Sequence, residues 1–241
     1  MEWGSRFTRD CVVIFVYSVF SSQFGIAIEI CCSIPGGYSM NNRTEMLDAR
    51  QYFEELHGVV IALPFGIINQ IAGVLMNANE SGRTVYLFGN GGSASLASHF
   101  ACDLGKGTAY CNGGKRFRVL ALTDNVPTMT AWANDSSYED VFSEQLRNFV
   151  QPQDVAVAIS CSGNSKNVLN ALLVAREAGA TTIGVTGFEG GEMKSLCDIC
   201  VVVPSENMQI IEDLHLSMAH SIFRIVSSRM AGRAMTASVA K

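Results

Sequence analysis

Two of the four histidines in this 241-residue chain stand in patterns that can do chemistry. His99 and Asp103 are four apart in a helical stretch, so both side chains share one face. Glu212 and His220 lie on the last helical stretch, where positions 212, 216 and 220 form a shallow stripe. Asp213 and His215 sit between them. Two histidines and two carboxylates on two helices can hold a divalent metal such as zinc, or provide an acid and a base. A histidine four residues from an aspartate is also common where the ring is merely hydrogen-bonded. His57 falls in the first helical segment and reads as a packing or surface residue.

Two loops differ from the rest in composition. In "FGNGGS" (88–93) an apolar run breaks into Gly89, Asn90, Gly91 and Gly92 before Ser93 heads a helix. In "SCSGNS" (160–165), Ser160, Ser162 and Ser165 surround Gly163 and Asn164. A helix that begins beside clustered hydroxyls offers free N–H groups and the positive end of its dipole, which suits an anion without any formal charge. A phosphate monoester is the expected ligand, with Ser93 as a further donor. The plain alternative is a polar turn with an N-cap serine. No Gly-Lys-Ser/Thr follows the first loop, so it is not a P-loop. Its glycine spacing also fails the dinucleotide fingerprint.

These groups need a scaffold, and the apolar pattern supplies one. Apolar residues recur at helical spacing between 44 and 80, with Pro64 and Gly66 separating two helices. Short apolar runs then follow at 84–88, 118–122, 155–159, 181–186 and 199–203. Helical patterns fall at 93–104, around 127–149, at 165–178, at 189–196 and at about 207–230. Strands that read as continuous apolar runs are buried on both faces, as in a parallel sheet covered by helices. The expected fold is α/β: a doubly wound, five-stranded parallel sheet of order 2-1-3-4-5, with an N-terminal helical hairpin and a long C-terminal helix. In that order strands one and three are neighbours at the topological switch point, so both special loops face one crevice.

About half the residues are apolar and the net charge is −5. That balance argues against a nucleic-acid surface, which needs a basic footprint. The eight cysteines form no evenly spaced framework and read as reduced thiols of a cytoplasmic protein. Cys197 and Cys200 make a lone CxxC that runs into "VVV", which reads as core packing. Residues 1–39 differ in character: Arg6 and Arg9 precede an apolar stretch interrupted by Ser21, Ser22, Gln23 and Glu29. They are expected to stand outside the fold, which begins at Met40 and runs to 241. No membrane partner is expected.

"FGNGGSASLASHFACDLGKG", "AISCSGNSKNVLNALLVAREAG", "TIGVTGFEGGEMKSLCD" and "IIEDLHLSMAHSIF" together resemble the sugar isomerase (SIS) domain family, and within it the phosphoheptose isomerases. The resemblance covers roughly residues 45–230. It implies a homotetramer with active sites between subunits. The implied reaction converts sedoheptulose 7-phosphate to D-glycero-D-manno-heptose 7-phosphate, the entry to heptose for lipopolysaccharide and related glycans. It puts the phosphate on Ser160, Ser162, Ser165 and Ser93, with Asn90 and Gly91 in the same site. It puts zinc on His99, Asp103, Glu212 and His220. Two of these depart from the pattern: Asp103 stands where the family has Glu, and Glu212 where it has Gln. Cys161 replaces a common Thr. Asp reaches less far than Glu by about 1.5 Å, which matters for proton transfer.

The implied chemistry moves a proton between C1 and C2 through an enediol. Asp103, alone or together with Glu212, is the expected base and His220 the acid, with zinc polarising the carbonyl. Asp124 contacts sugar hydroxyls or caps the helix that follows. The rivals are a non-catalytic phosphosugar-binding protein and an isomerase of another phosphorylated ketose. A pure binder needs the serine loop but not His99 and His220 aimed at the reactive end.

Overall fold

The structure, a computed structural model, describes residues 48–109, 111 and 115–239. The expected extension, 1–39, lies outside the described residues. The first helix, α1 (Ala49–Ile61), opens on a capping box: Asp48 accepts from Gln51 N at 2.9 Å, and the Gln51 side chain accepts from Asp48 N at 3.0 Å. Pro64 separates it from α2 (Phe65–Ser81), which stops at Gly82 in the left-handed region, φ 67°.

Strands and helices then alternate: β1 (Thr84–Gly89), α3 (Gly92–Cys102), β2 (Arg118–Ala121), α4 (Val126–Asp135), α5 (Ser143–Phe149), β3 (Val155–Ile159), α6 (Lys166–Glu177), β4 (Thr181–Thr186), α7 (Met193–Leu196), β5 (Ile199–Val202) and α8 (Met208–Val239). The sheet is parallel throughout, in the order β2-β1-β3-β4-β5. This is the expected doubly wound topology.

Alternation along each strand feeds two cores. Val85, Leu87, Val155, Val157 and Ile159 face α2, α3 and α8. Tyr86, Phe88, Ala156 and Ala158 face α5 and α6, where Phe142, Leu146, Leu169 and Leu172 fill the space that the alanines leave. The central strands are apolar on both faces because both faces are covered.

The helix expected at 189–196 is cut to α7 by Gly190 and Gly191, both at positive φ, and α8 runs beyond 230 to Val239. Two further differences bear on the site. The segment 127–149 is not one helix: α4 ends at Asp135, a short 3-10 turn spans Tyr138–Asp140, and α5 follows. Ser136 and Ser137 interrupt it; the Ser137 hydroxyl accepts from Glu139 N at 3.1 Å and starts the turn. The helix after β1 does not simply stop near 104. It passes at Asp103 into a π-helical turn, Asp103–Gly107, a rare conformation frequent at functional sites.

Gly107 in that turn lets α8 come close. A Cβ there would stand 2.8 Å from the Phe223 ring. Phe223 is three residues past His220, so this contact brings His220 up against the end of α3. Cys197 and Cys200 flank Gly184, and a Cβ there would be 3.0 Å from either sulfur. Burial pushes both thiols up, to about 12 and about 11, which suits packing rather than redox work. Among the described residues no single helix is long and apolar enough to cross a membrane; α1 and α2 reach that length only across a 71° bend.

Candidate functional site

Both special loops meet at the carboxyl end of the sheet, because β1 and β3 are hydrogen-bonded neighbours. Ser93 stands in the first turn of α3 and is buried, and its hydroxyl acts on the Cys161 thiol of the other loop, lowering its pKa. Burial first, and then the Glu212 charge, hold that thiol up at about 11; the Ser93 hydroxyl opposes them. Ser93 and the serine loop therefore form one surface.

The serine loop is braced from behind. The Cys161 carbonyl accepts from Gly187 N at 2.9 Å and from the Thr186 hydroxyl at 3.1 Å. The Gly163 carbonyl accepts from Met193 N at 3.0 Å, and the Asn164 side chain accepts from Glu192 N at 2.9 Å. Ser162 Oγ accepts from Asn164 N at 3.3 Å, and Ser160 Oγ accepts from Gly163 N at 3.2 Å. Ser165 stands at the N-cap of α6, yet its hydroxyl caps nothing. It lies 3.4 Å from Ser160 Oγ instead. Its hydroxyl thus stays within the serine loop, beside the N-terminus of α6.

Asn90 links the two corners within the protein. Its side-chain amide exchanges two hydrogen bonds of 2.9 Å with Asn167, and Tyr138 donates to the same Asn90 oxygen at 2.9 Å. The pair ties the β1 corner to the β3 corner. Asn167 was not picked out from the sequence. The available signal was a polar residue in phase with the buried Ala171 and Val174 of α6. Gly91 holds φ 55° at the entry to α3. Asp124 is exposed at the end of β2 and accepts from Ser98. It does not cap α4; Asn125 does, accepting from Thr128 N at 3.2 Å.

At the other end of α3 three donors converge. The Nε2 atoms of His99 and His220 are 2.9 Å apart. Asp103 Oδ2 stands 3.4 Å from His99 Nε2 and 4.0 Å from His220 Nε2. All three atoms lie within 4.8 Å of one another. Tetrahedral zinc with bonds of about 2.0–2.1 Å sets its ligands about 3.3 Å apart, so the trio brackets that spacing. A set of three that leaves a position open is the arrangement of a catalytic metal site.

Glu212 stands apart from this trio. Its carboxylate lies against Gly92 at the head of α3, where a Cβ would be 2.8 Å from Oε1. A cleft of about 300 Å³ runs along α3 and α8 from Gly92 and Ser93 to His99, with Glu212 and Leu216 on its α8 side. That volume is within the range of a small-ligand pocket. His215 borders the same cleft but is buried, with neither ring nitrogen hydrogen-bonded. Burial pulls its pKa down to about 4.

Known proteins share this arrangement of elements. Residues 51–187 match the SIS domain family. A probable phosphoheptose isomerase of Thermoplasma acidophilum is 38% identical over 183 residues, 76% of this chain and all of that protein. The phosphoheptose isomerase of Aliarcobacter butzleri is 41% identical over 63% of this chain and 79% of its own length. Among solved structures, a phosphoheptose isomerase from Neisseria gonorrhoeae superposes with a TM-score of 0.69 at 28% identity, covering 74% of this chain and 96% of that one.

Proposed function

The chain belongs to the SIS domain family, in its phosphoheptose isomerase branch, and we propose that it carries that branch's reaction by the route its cleft supports. It is an aldose–ketose isomerase interconverting sedoheptulose 7-phosphate and D-glycero-D-manno-heptose 7-phosphate. The observation that supports the proposal is that Ser93, which stands beside the serine loop, and His99, which meets His220 and Asp103, line one cleft.

Ser160, Ser162 and Ser165 with Ser93 hold the phosphate, helped by the amides at the start of α6. The phosphate anchors the sugar so that C1 and C2 lie toward the far end of the cleft, which supplies proximity rather than chemistry. Asp124, exposed and accepting from Ser98, is the residue we assign to the sugar hydroxyls. His99, Asp103 and His220 are the residues that would hold zinc; when bound, the metal polarises the substrate carbonyl. The Nε2 atom of His220 points at His99 and Asp103, so that nitrogen serves either as ligand or as acid, not both together. Asp103 and Glu212 are the two carboxylates able to move the proton between C1 and C2. We further place the enzyme in the cytoplasm as a homotetramer with sites completed between subunits.

The test is a panel of phosphorylated ketoses assayed by aldose formation, with protein stripped by chelator and with zinc restored. Turnover of the seven-carbon 7-phosphate, lost on stripping and regained with zinc, is the expected result. Binding without turnover across the panel would favour a non-catalytic phosphosugar binder.

A further inference from the structure

We propose that Glu212 is the base of the isomerisation and that Gly92 is the residue that positions it. The inference rests on the isomerase reading above and assigns a role that reading leaves open between two carboxylates. Asp103 is already engaged: its Oδ2 faces both histidine nitrogens, at 3.4 and 4.0 Å, and its side chain projects from the start of the π-helical turn. Taking a proton from carbon would compete with those contacts.

Glu212 has no such commitment. Its one polar contact among the described residues is the Cys161 thiol, at 4.0 Å from Oε1. It lines the cleft together with Ser93 and His99. Its carboxylate rests flat on Gly92, with an imagined Cβ 2.8 Å from Oε1, 3.1 Å from Cδ and 3.2 Å from Oε2. No other residue type leaves that space. The amides of the first turn of α3, at the positive end of its dipole, attract a carboxylate into it. A carboxylate in place of an amide at 212, with a carboxylate one methylene shorter at 103, leaves Glu212 as an acid that lines the cleft.

In the step, Glu212 takes one hydrogen of C1 as a proton. The electron pair left behind forms the C1–C2 double bond, and the carbonyl pair goes to O2, which takes a proton to give the enediol. In the second half the O1 proton leaves, the C1 carbonyl forms, and Glu212 returns its proton to C2. Atoms balance, and no outside oxidant or reductant is needed.

The experiment is a double-mutant cycle on zinc-loaded enzyme with the ketose phosphate, reading kcat, KM, zinc content, and deuterium uptake into recovered ketose in D2O. Glu212→Gln should lower kcat by about 100-fold or more and abolish deuterium uptake, with zinc content unchanged. Gly92→Ala keeps the carboxylate but displaces it. Ala suits a helix start, and the obstructed atoms are the flexible end of a side chain, so the variant folds. It should lower kcat about tenfold or more with KM within about threefold, a loss of orientation rather than binding. The double variant should be no worse than Glu212→Gln alone. The assignment is overturned if the two losses multiply, if Glu212→Gln keeps wild-type kcat, or if it sheds zinc. It is equally overturned if Asp103→Asn retains zinc and loses deuterium uptake. Wild-type protein that turned over no ketose phosphate would remove the isomerase reading itself, a separate outcome from active wild type with a failed cycle.

Discussion

Single hydroxyls and single rings carry the sharpest expectations. Ser165 occupies an N-cap position without spending its hydroxyl there. Ser165→Ala should therefore leave thermal stability nearly unchanged while raising KM for the sugar phosphate by about tenfold, the equivalent of one hydrogen bond to a charged group. A large drop in Tm with unchanged KM would make it a structural serine after all. His215 makes the opposite kind of prediction. Its pKa is lowered from 6.5 to about 4 by burial. The unfolded chain therefore binds the proton more readily than the folded one between those values. Stability is unaffected above about pH 6.5 and falls as pH drops toward 4, by roughly 3 kcal/mol at the lower end. Urea unfolding at pH 7 and pH 5 should show this loss, and His215→Gln should flatten it. An equal slope in both proteins would mean that the ring does not titrate within the fold.

At the scale of elements, the corner tie between Asn90 and Asn167 links β1's exit to the first turn of α6. Asn167→Ala strands a partly buried amide, which costs about 1–3 kcal/mol. It also loosens the serine loop against Ser93, so Tm should fall and KM rise together; a fall in Tm alone would uncouple the tie from the site. The strands and their order were legible from sequence because β1 and β3 are buried on both faces and read as unbroken apolar runs. The convergence of the two loops followed from that order. The Asn90–Asn167 tie was not legible, since it joins residues 77 apart and neither shows a local signal of pairing. The seat of Glu212 on Gly92 was hidden for the same reason: spacing along α8 suggests a shared stripe with His220, but the carboxylate is drawn across to the head of α3. The break in 127–149 was missed because Ser136 and Ser137 interrupt an otherwise helical pattern with a polar turn of their own.

At the scale of the molecule, α1 is the part a single chain does not explain. It is well capped, yet none of its 13 residues is buried. Phe53 and Ile61 are 64% and 68% exposed, and Phe65 at the head of α2 is 53% exposed. Tyr52 donates to Asp213 at 2.6 Å, which pins this helix beside the stretch of α8 that carries Glu212. Exposed apolar residues in such number on one hairpin are the mark of an association surface. Leu216 extends the same reasoning to the site, since it lines the cleft and is itself 39% exposed. A neighbouring subunit covering this region would narrow the cleft and exclude water from the proton transfer, which a lone chain leaves open. Light scattering should therefore report an assembly larger than a monomer, a homotetramer if the proposed state holds. Phe53→Glu with Ile61→Glu should split it into smaller species, and specific activity should fall in step with the loss of assembly while the circular dichroism of the sheet and helices persists. Because neither residue lies in the cleft, that parallel fall would tie catalysis to assembly; fully active monomers would cut the link.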